Sequence, residues 1–185
     1  MLTLFLLFSF AHLLGDYPFQ TNWVYRQKIK SPLGTLLHVA ILVACFVVVL
    51  APLLVNRVVV LAVGTILLIH FVQDVLKIEF TGKRKLVPSF IALALDQLLH
   101  FAVLAGVAYR LSLINLKLAF AESIFQSPYL NLLLLYLITL VLATFVWDVV
   151  KFVWRGEKNL QHNWLEFIWC GLIVTAVFGA VYWLI

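Results

Sequence analysis

Charged side chains are scarce in this chain. Lys, Arg, Asp and Glu together make 11% of its 185 residues, while 65% are hydrophobic, and the mean hydropathy is +1.10. A soluble domain of this size cannot hide so much apolar surface, which excludes a soluble globular fold. The strict alternation of a membrane barrel is also missing, because the apolar runs are long and continuous. Long basic stretches are absent. The net charge is +5, yet the longest basic run is Lys83-Arg84-Lys85, which argues against nucleic acid as a partner. Cysteine is nearly absent: Cys45 and Cys170 stand alone in apolar spans and read as small buried hydrophobes. No GxSxG, P-loop or GxGxxG is present, so nothing points to a serine nucleophile or a nucleotide cradle. The first residues lack the basic start of a signal peptide, and His12 and Asp16 stand where its cleavage site would be. Residues 2–16 therefore read as a retained, short first span.

What remains is hydrocarbon in lengths that suit a bilayer. Apolar segments fall at about 2–16, 34–52, 57–78, 89–110, 129–151 and 163–184. Each is near the ~20 residues that a membrane helix needs. The expected fold is an all-α, polytopic membrane helix bundle of about six transmembrane helices, forming a single domain over 1–185. The link after Asp16 is broken by Pro18 and Pro32, and its Tyr17, Trp23 and Tyr25 suit an interfacial piece. Residues 111–128 mix Leu113, Leu116, Phe120 and Phe125 with Asn115, Lys117 and Glu122, which predicts a surface helix. Ten basic residues flank the first, third and fifth links, against Arg57, Arg110 and Lys117 on the other side. This bias predicts that those links are cytoplasmic and that both termini are not.

The few ionisable groups are not scattered. His12/Asp16 and His70/Asp74 are spaced i, i+4, and Asp96/His100 repeats the pair reversed, so each pair shares one helix face. With His38, Asp148 and Glu166, they all fall in the halves of the spans assigned to the cytoplasmic side. A histidine or carboxylate in hydrocarbon is costly unless it is paired, hydrated or bound to something. A His and a carboxylate on one face can hold a metal ion. His12, His38, His70 and His100 with Asp16, Asp74 and Asp96 form a set suited to zinc, manganese or iron, enough for one divalent ion or two. In a hydrolase, Asp16, Asp74 or Asp96 would take a proton from an activated water. The same pairs could instead only hold helices together, by hydrogen bonds of about 0.6–2 kcal/mol each. Gln20 is expected to join the site only if the first helix continues past Pro18, and Lys77 is expected to snorkel toward the headgroups. Phe71-Val-x-Asp74-Val-x-Lys77 is echoed by Phe145-Val-x-Asp148-Val-x-Lys151, with Thr144 where the first copy has His70.

Four blocks of the chain match a known pattern. They are Ala11-His-Leu-Leu-Gly-Asp16-Tyr-Pro-Phe-Gln20-Thr-Asn-Trp23, Leu37-His38, His70-Phe-x-x-Asp74-x-x-Lys77 and Leu95-Asp-Gln-Leu-Leu-His100. Over residues 8–105 the chain resembles a bacterial and phage membrane-protein family known as domain of unknown function 3307. The resemblance implies a bacterial inner-membrane location and brings no established reaction. The HxxxD pattern is also similar to that of membrane-bound metal-dependent hydrolases. The leading expectation is a metal-dependent hydrolase acting on a lipid-linked or amphipathic substrate. The alternatives are a carrier of metal ions or protons, or a non-enzymatic membrane assembly component. A carrier would need a polar path to the far side, where the spans offer mainly Asn56, Thr65, Asn131 and Thr139.

Overall fold

The computed structural model describes residues 1–80, 89–114, 127–155 and 164–184, and all regular structure among them is helical. The helices are α1 (Leu2–Asp16), α2 (Asn22–Lys30), α3 (Pro32–Leu50), α4 (Arg57–Ile78), α5 (Ser89–Ser112), α6 (Pro128–Val141), α7 (Trp147–Arg155) and α8 (Trp164–Leu184). A π-turn, Leu142–Val146, joins α6 to α7 and makes them one long span. Four of these spans are long and apolar enough to cross a membrane, and α1 and α8 contribute shorter apolar helices. The link at 81–88, residues 115–126 of the expected surface helix, and Lys158 and His162 lie outside the described residues. Residues 111–112 and 128 of that expected helix belong instead to the ends of α5 and α6.

The starts of the helices follow local chemistry. Thr21 caps α2 by accepting from the Val24 amide, at 3.3 Å. Ser31 caps α3 in the same way through Gly34, at 3.2 Å, and Pro32 fills the first turn, where its missing N–H costs nothing. Asn56 caps α4 through Val58, at 2.9 Å. Pro18 stands two residues beyond the end of α1. The π-turn contains Thr144, whose hydroxyl donates to the Leu140 carbonyl at 2.6 Å, a side-chain bond of the kind that bends a helix.

The short α1 is the central element. It packs against α3, α5 and α6, while α4 closes the group against α3 and α5. Its Leu6, Leu7, Phe8 and Ala11 join Leu42, Phe46, Leu50, Leu53, Val59, Val63 and Leu104 in one apolar core. This core fills the half of the bundle away from α2. The outward faces are apolar too: Val48, Leu61 and Leu68 are 76%, 72% and 65% exposed. The polar groups lie inside instead, at the end that α2 covers. His12, Asp16, Lys28, His38, His70, Asp74, Asp96 and His100 are all buried. An interior that is polar at one end and a surface that is apolar is the inverse of a soluble domain, and it fits hydrocarbon surroundings.

Candidate metal centre

The three i, i+4 pairs come from α1, α4 and α5, and His38 comes from the second turn of α3. Their faces converge. The Nε2 atoms of His38 and His70 stand 3.3 Å apart. On one side of them lies Asp16 Oδ1, at 3.1 Å from His38 and 3.5 Å from His70. On another lies Asp74 Oδ2, at 3.1 Å from His70 and 3.6 Å from His38. His12 Nε2 is 3.7 Å from Asp16 Oδ2. The rings continue the cluster, with His12 stacked on His100 at 5.1 Å and His70 at 4.2 Å from His100. All seven residues expected at the site are thus brought together.

The separations suit coordination. Two donor atoms each about 2.0–2.1 Å from a tetrahedral zinc ion stand about 3.3–3.4 Å apart. The five distances around the His38–His70 edge bracket that value. Ligand atoms within 4.8 Å of one another also define three overlapping groups: His12/Asp16/His70, His38/His70/Asp74 and Asp74/Asp96/His100. Among the described residues, several buried polar atoms have no hydrogen-bond partner, among them His12 Nε2, His100 Nε2 and Asp74 Oδ1. Leaving such atoms unpaired is costly, and a bound ion would satisfy them.

Two lysines enter this site. Lys28 of α2 is buried, and its Nζ lies 2.7 Å from Asp74 Oδ2. In the sequence it reads only as one more base in a polar link. The available signal was slight: Val24 and Lys28, i and i+4, are the two buried positions of α2. Lys77 does not snorkel away, because its Nζ lies 2.6 Å from Asp96 Oδ2. Gln20 reaches the site although α1 ends at Asp16. The turn after Pro18 carries it back, so that it donates to the Asp16 carbonyl at 2.9 Å and accepts from Lys28 at 3.3 Å. Gln97, beside Asp96 in sequence, reaches Asp96 Oδ2 at 3.3 Å and Asp16 Oδ2 at 3.5 Å.

The charges are therefore unevenly balanced. Asp74 has Lys28 and Asp96 has Lys77. Among the described residues, Asp16 has only imidazoles and a carboxamide within reach. A buried carboxylate needs a counter-charge, so either an imidazole holds a proton or a cation sits beside it.

A cavity of about 200 Å³ opens against this cluster. Its polar floor includes Asp16, Gln20, Lys28, Lys77, Asp96 and Gln97, and its apolar wall includes Ile29, Ile78, Leu93, Val149 and Val153. Asp148 and Glu166 belong to neither the cluster nor its three ligand groups. They share Lys151, which lies 2.8 Å from Asp148 and also pairs with Glu166. Glu166→Gln is accordingly expected to change stability by no more than about 1 kcal/mol, as at other exposed pairs, and to leave any bound metal in place. Thermal unfolding together with elemental analysis checks both.

Fold and site define an all-helical bundle with spans of membrane length and a buried histidine–aspartate centre. The chain belongs to the family described as Protein of unknown function (DUF3307), whose model matches residues 2–129. The matched stretch contains every residue of the cluster, and both lysines. No curated protein and no solved structure matches the chain.

Proposed function

We propose that this protein is an integral membrane, metal-dependent hydrolase acting on a lipid-linked or amphipathic substrate at the cytoplasmic leaflet. The observation that carries the reading is Asp16: a buried carboxylate with no cationic side chain beside it among the described residues, facing two imidazole nitrogens at coordination spacing. His38, His70, Asp16 and Asp74 would hold a divalent ion such as zinc, manganese or iron. Bound there, the ion would supply Lewis acidity and lower the pKa of a water. Asp96, at the cavity floor, would accept the proton that the water gives up. Lys28 and Lys77 would set the charge around the reacting group. The apolar wall would take the hydrocarbon part of the substrate, while the polar floor would take its head.

A transmembrane carrier fits the structure less well. Beyond the cluster the interior closes with Leu6, Phe8, Leu42, Phe46, Val63 and Leu104, which offer no relay. Of the polar side chains of that half, Thr65 donates to Leu61 and Thr139 to Leu135 within their own helices, at 2.9 and 2.7 Å.

Elemental analysis of the purified protein is expected to find at least one tightly held divalent ion per chain, and His70→Ala is expected to lose it. A folded, metal-free wild-type protein that takes up no zinc, manganese or iron on titration would sink the reading. With the ion in place, release of water-soluble product from lipid substrates is expected to fall by on the order of 100-fold in Asp96→Asn, the loss typical of a removed general base.

A further inference from the structure

We propose that the centre is dinuclear, with a second divalent cation held by His12 and His100 and bridged to the first through Asp16. The proposal rests on the reading of this cluster as a metal centre. Its first support is how Asp16 divides its oxygens. Oδ1 faces His38 and His70, at 3.1 and 3.5 Å. Oδ2 faces a different imidazole, His12, at 3.7 Å. A carboxylate placed in this way can bind one ion with each oxygen, the bridge that keeps paired ions about 3.5–4 Å apart.

The second support is His100. Its Nδ1 lies 2.6 Å from the Asp96 carbonyl oxygen, which can only accept, so Nδ1 carries the proton. In the neutral ring Nε2 then holds a lone pair. That Nε2 is buried and has no hydrogen-bond partner among the described residues. A backbone carbonyl that fixes the tautomer while the other nitrogen stays open is the usual setting of a metal-binding histidine. His12 Nε2 is also buried without a partner. The third support is a small void of about 10 Å³ beside these rings, lined by His12, His70, Gln73 and His100 and otherwise by apolar side chains such as Leu42 and Leu104. It has room for about one water or one ion. Nε2 of His100 and Oε1 of Gln73 are lone-pair donors, and Oε1 too lacks a partner.

The charge count agrees. Asp16, Asp74 and Asp96 carry three negative charges against the two of Lys28 and Lys77. Two divalent ions leave the centre with a net charge of +3, which suits an anionic head group in the adjoining cavity. The second ion would therefore belong to a hydrolase whose substrate carries a phosphate or another strongly anionic group.

The full-length protein in detergent, stripped and reloaded with Mn²⁺, tests this. Two ions per chain are expected, with an exchange-coupled paramagnetic spectrum. His100→Gln and His12→Gln, made separately, are each expected to hold one ion and to show an uncoupled spectrum. Their elution and thermal unfolding in the stripped state report whether they remain folded. One ion per chain in the wild type, unchanged in a folded variant of either kind, overturns the dinuclear proposal and leaves the single-metal reading standing. No ion in the wild type overturns both.

Discussion

Gly34→Ala is expected to lift α2 off the bundle and to pull Lys28 away from Asp74. The first turn of α3 lies directly against the chain of α2. A Cβ at residue 34 would stand 1.8 Å from the Gln27 carbonyl oxygen, 2.2 Å from its carbon and 2.9 Å from the Lys28 nitrogen. All three are backbone atoms, so no side-chain rotation relieves the clash. The helices must separate by more than about 1 Å to reach ordinary contact. The bond from Thr35 Oγ1 to the Lys28 carbonyl, at 3.2 Å, breaks with that movement. A buried ion pair goes with it, a loss of about 3–5 kcal/mol. The midpoint of thermal unfolding should fall by on the order of 10 °C. Lys28 should also become reactive toward amine reagents in the folded protein. Gly15→Ala provides the contrast. Its Cβ would meet the Leu42 side chain at 2.5 Å, and that side chain can turn aside. A Gly34→Ala protein with wild-type stability and a protected Lys28 would contradict this packing.

Lys28→Met should be nearly as damaging, for an electrostatic reason. The ammonium and the Asp74 carboxylate are 2.7 Å apart, and their side chains are only 7% and 1% exposed. Methionine keeps much of the stem's volume and removes the charge. Among the described residues, Asp74 is then left as a buried anion with no lysine in ion-pair contact, at a cost of about 3–5 kcal/mol. The double variant Lys28→Met/Asp74→Leu removes both charges and should regain most of that loss. A divalent ion should rescue the single variant, because it supplies the missing positive charge. At 100 times its dissociation constant a ligand adds about 2.7 kcal/mol to the folded state. Unfolding of Lys28→Met with and without added zinc measures this. An unfolding midpoint equal to that of the wild type would show that Lys28 is not the counter-charge of Asp74.

Much of the bundle could be read from the chain itself. The span expected at 57–78 is α4 to the residue, and the others agree to within a few residues at most ends. Such spans are legible because hydropathy over about 20 residues is a local property. The i, i+4 pairs were legible for a similar reason, since helical periodicity alone puts each on one face. The echo of Asp74/Lys77 in Asp148/Lys151 gains a structural parallel. Each lysine reaches an acid on the next span, Asp96 in one case and Glu166 in the other. The echo keeps the aspartate but not the histidine, because Thr144 stands where the first copy has His70.

The lysines and Gln20 show where a reading by segments fails. Lys28 lies in a link rich in polar residues, and its inward turn depends on a carboxylate two helices further on. Lys77 has free headgroups as an alternative partner in any isolated helix; the approach of α5 brings Asp96 to it first. Gln20 depends on a turn that α2 holds in place, not on any continuation of α1.

The sequence by itself determined the number of spans, their lengths and the helix face that each histidine and aspartate occupies. Hydropathy and the 3.6-residue period need no neighbour to act. Only the tertiary structure decided which nitrogen meets which oxygen, and which carboxylates take a lysine as partner. Those pairings form between helices distant in the chain. Packing sets them, above all the seat of α2 against Gly34 and of α1 at the centre, and packing is a property of the assembled bundle.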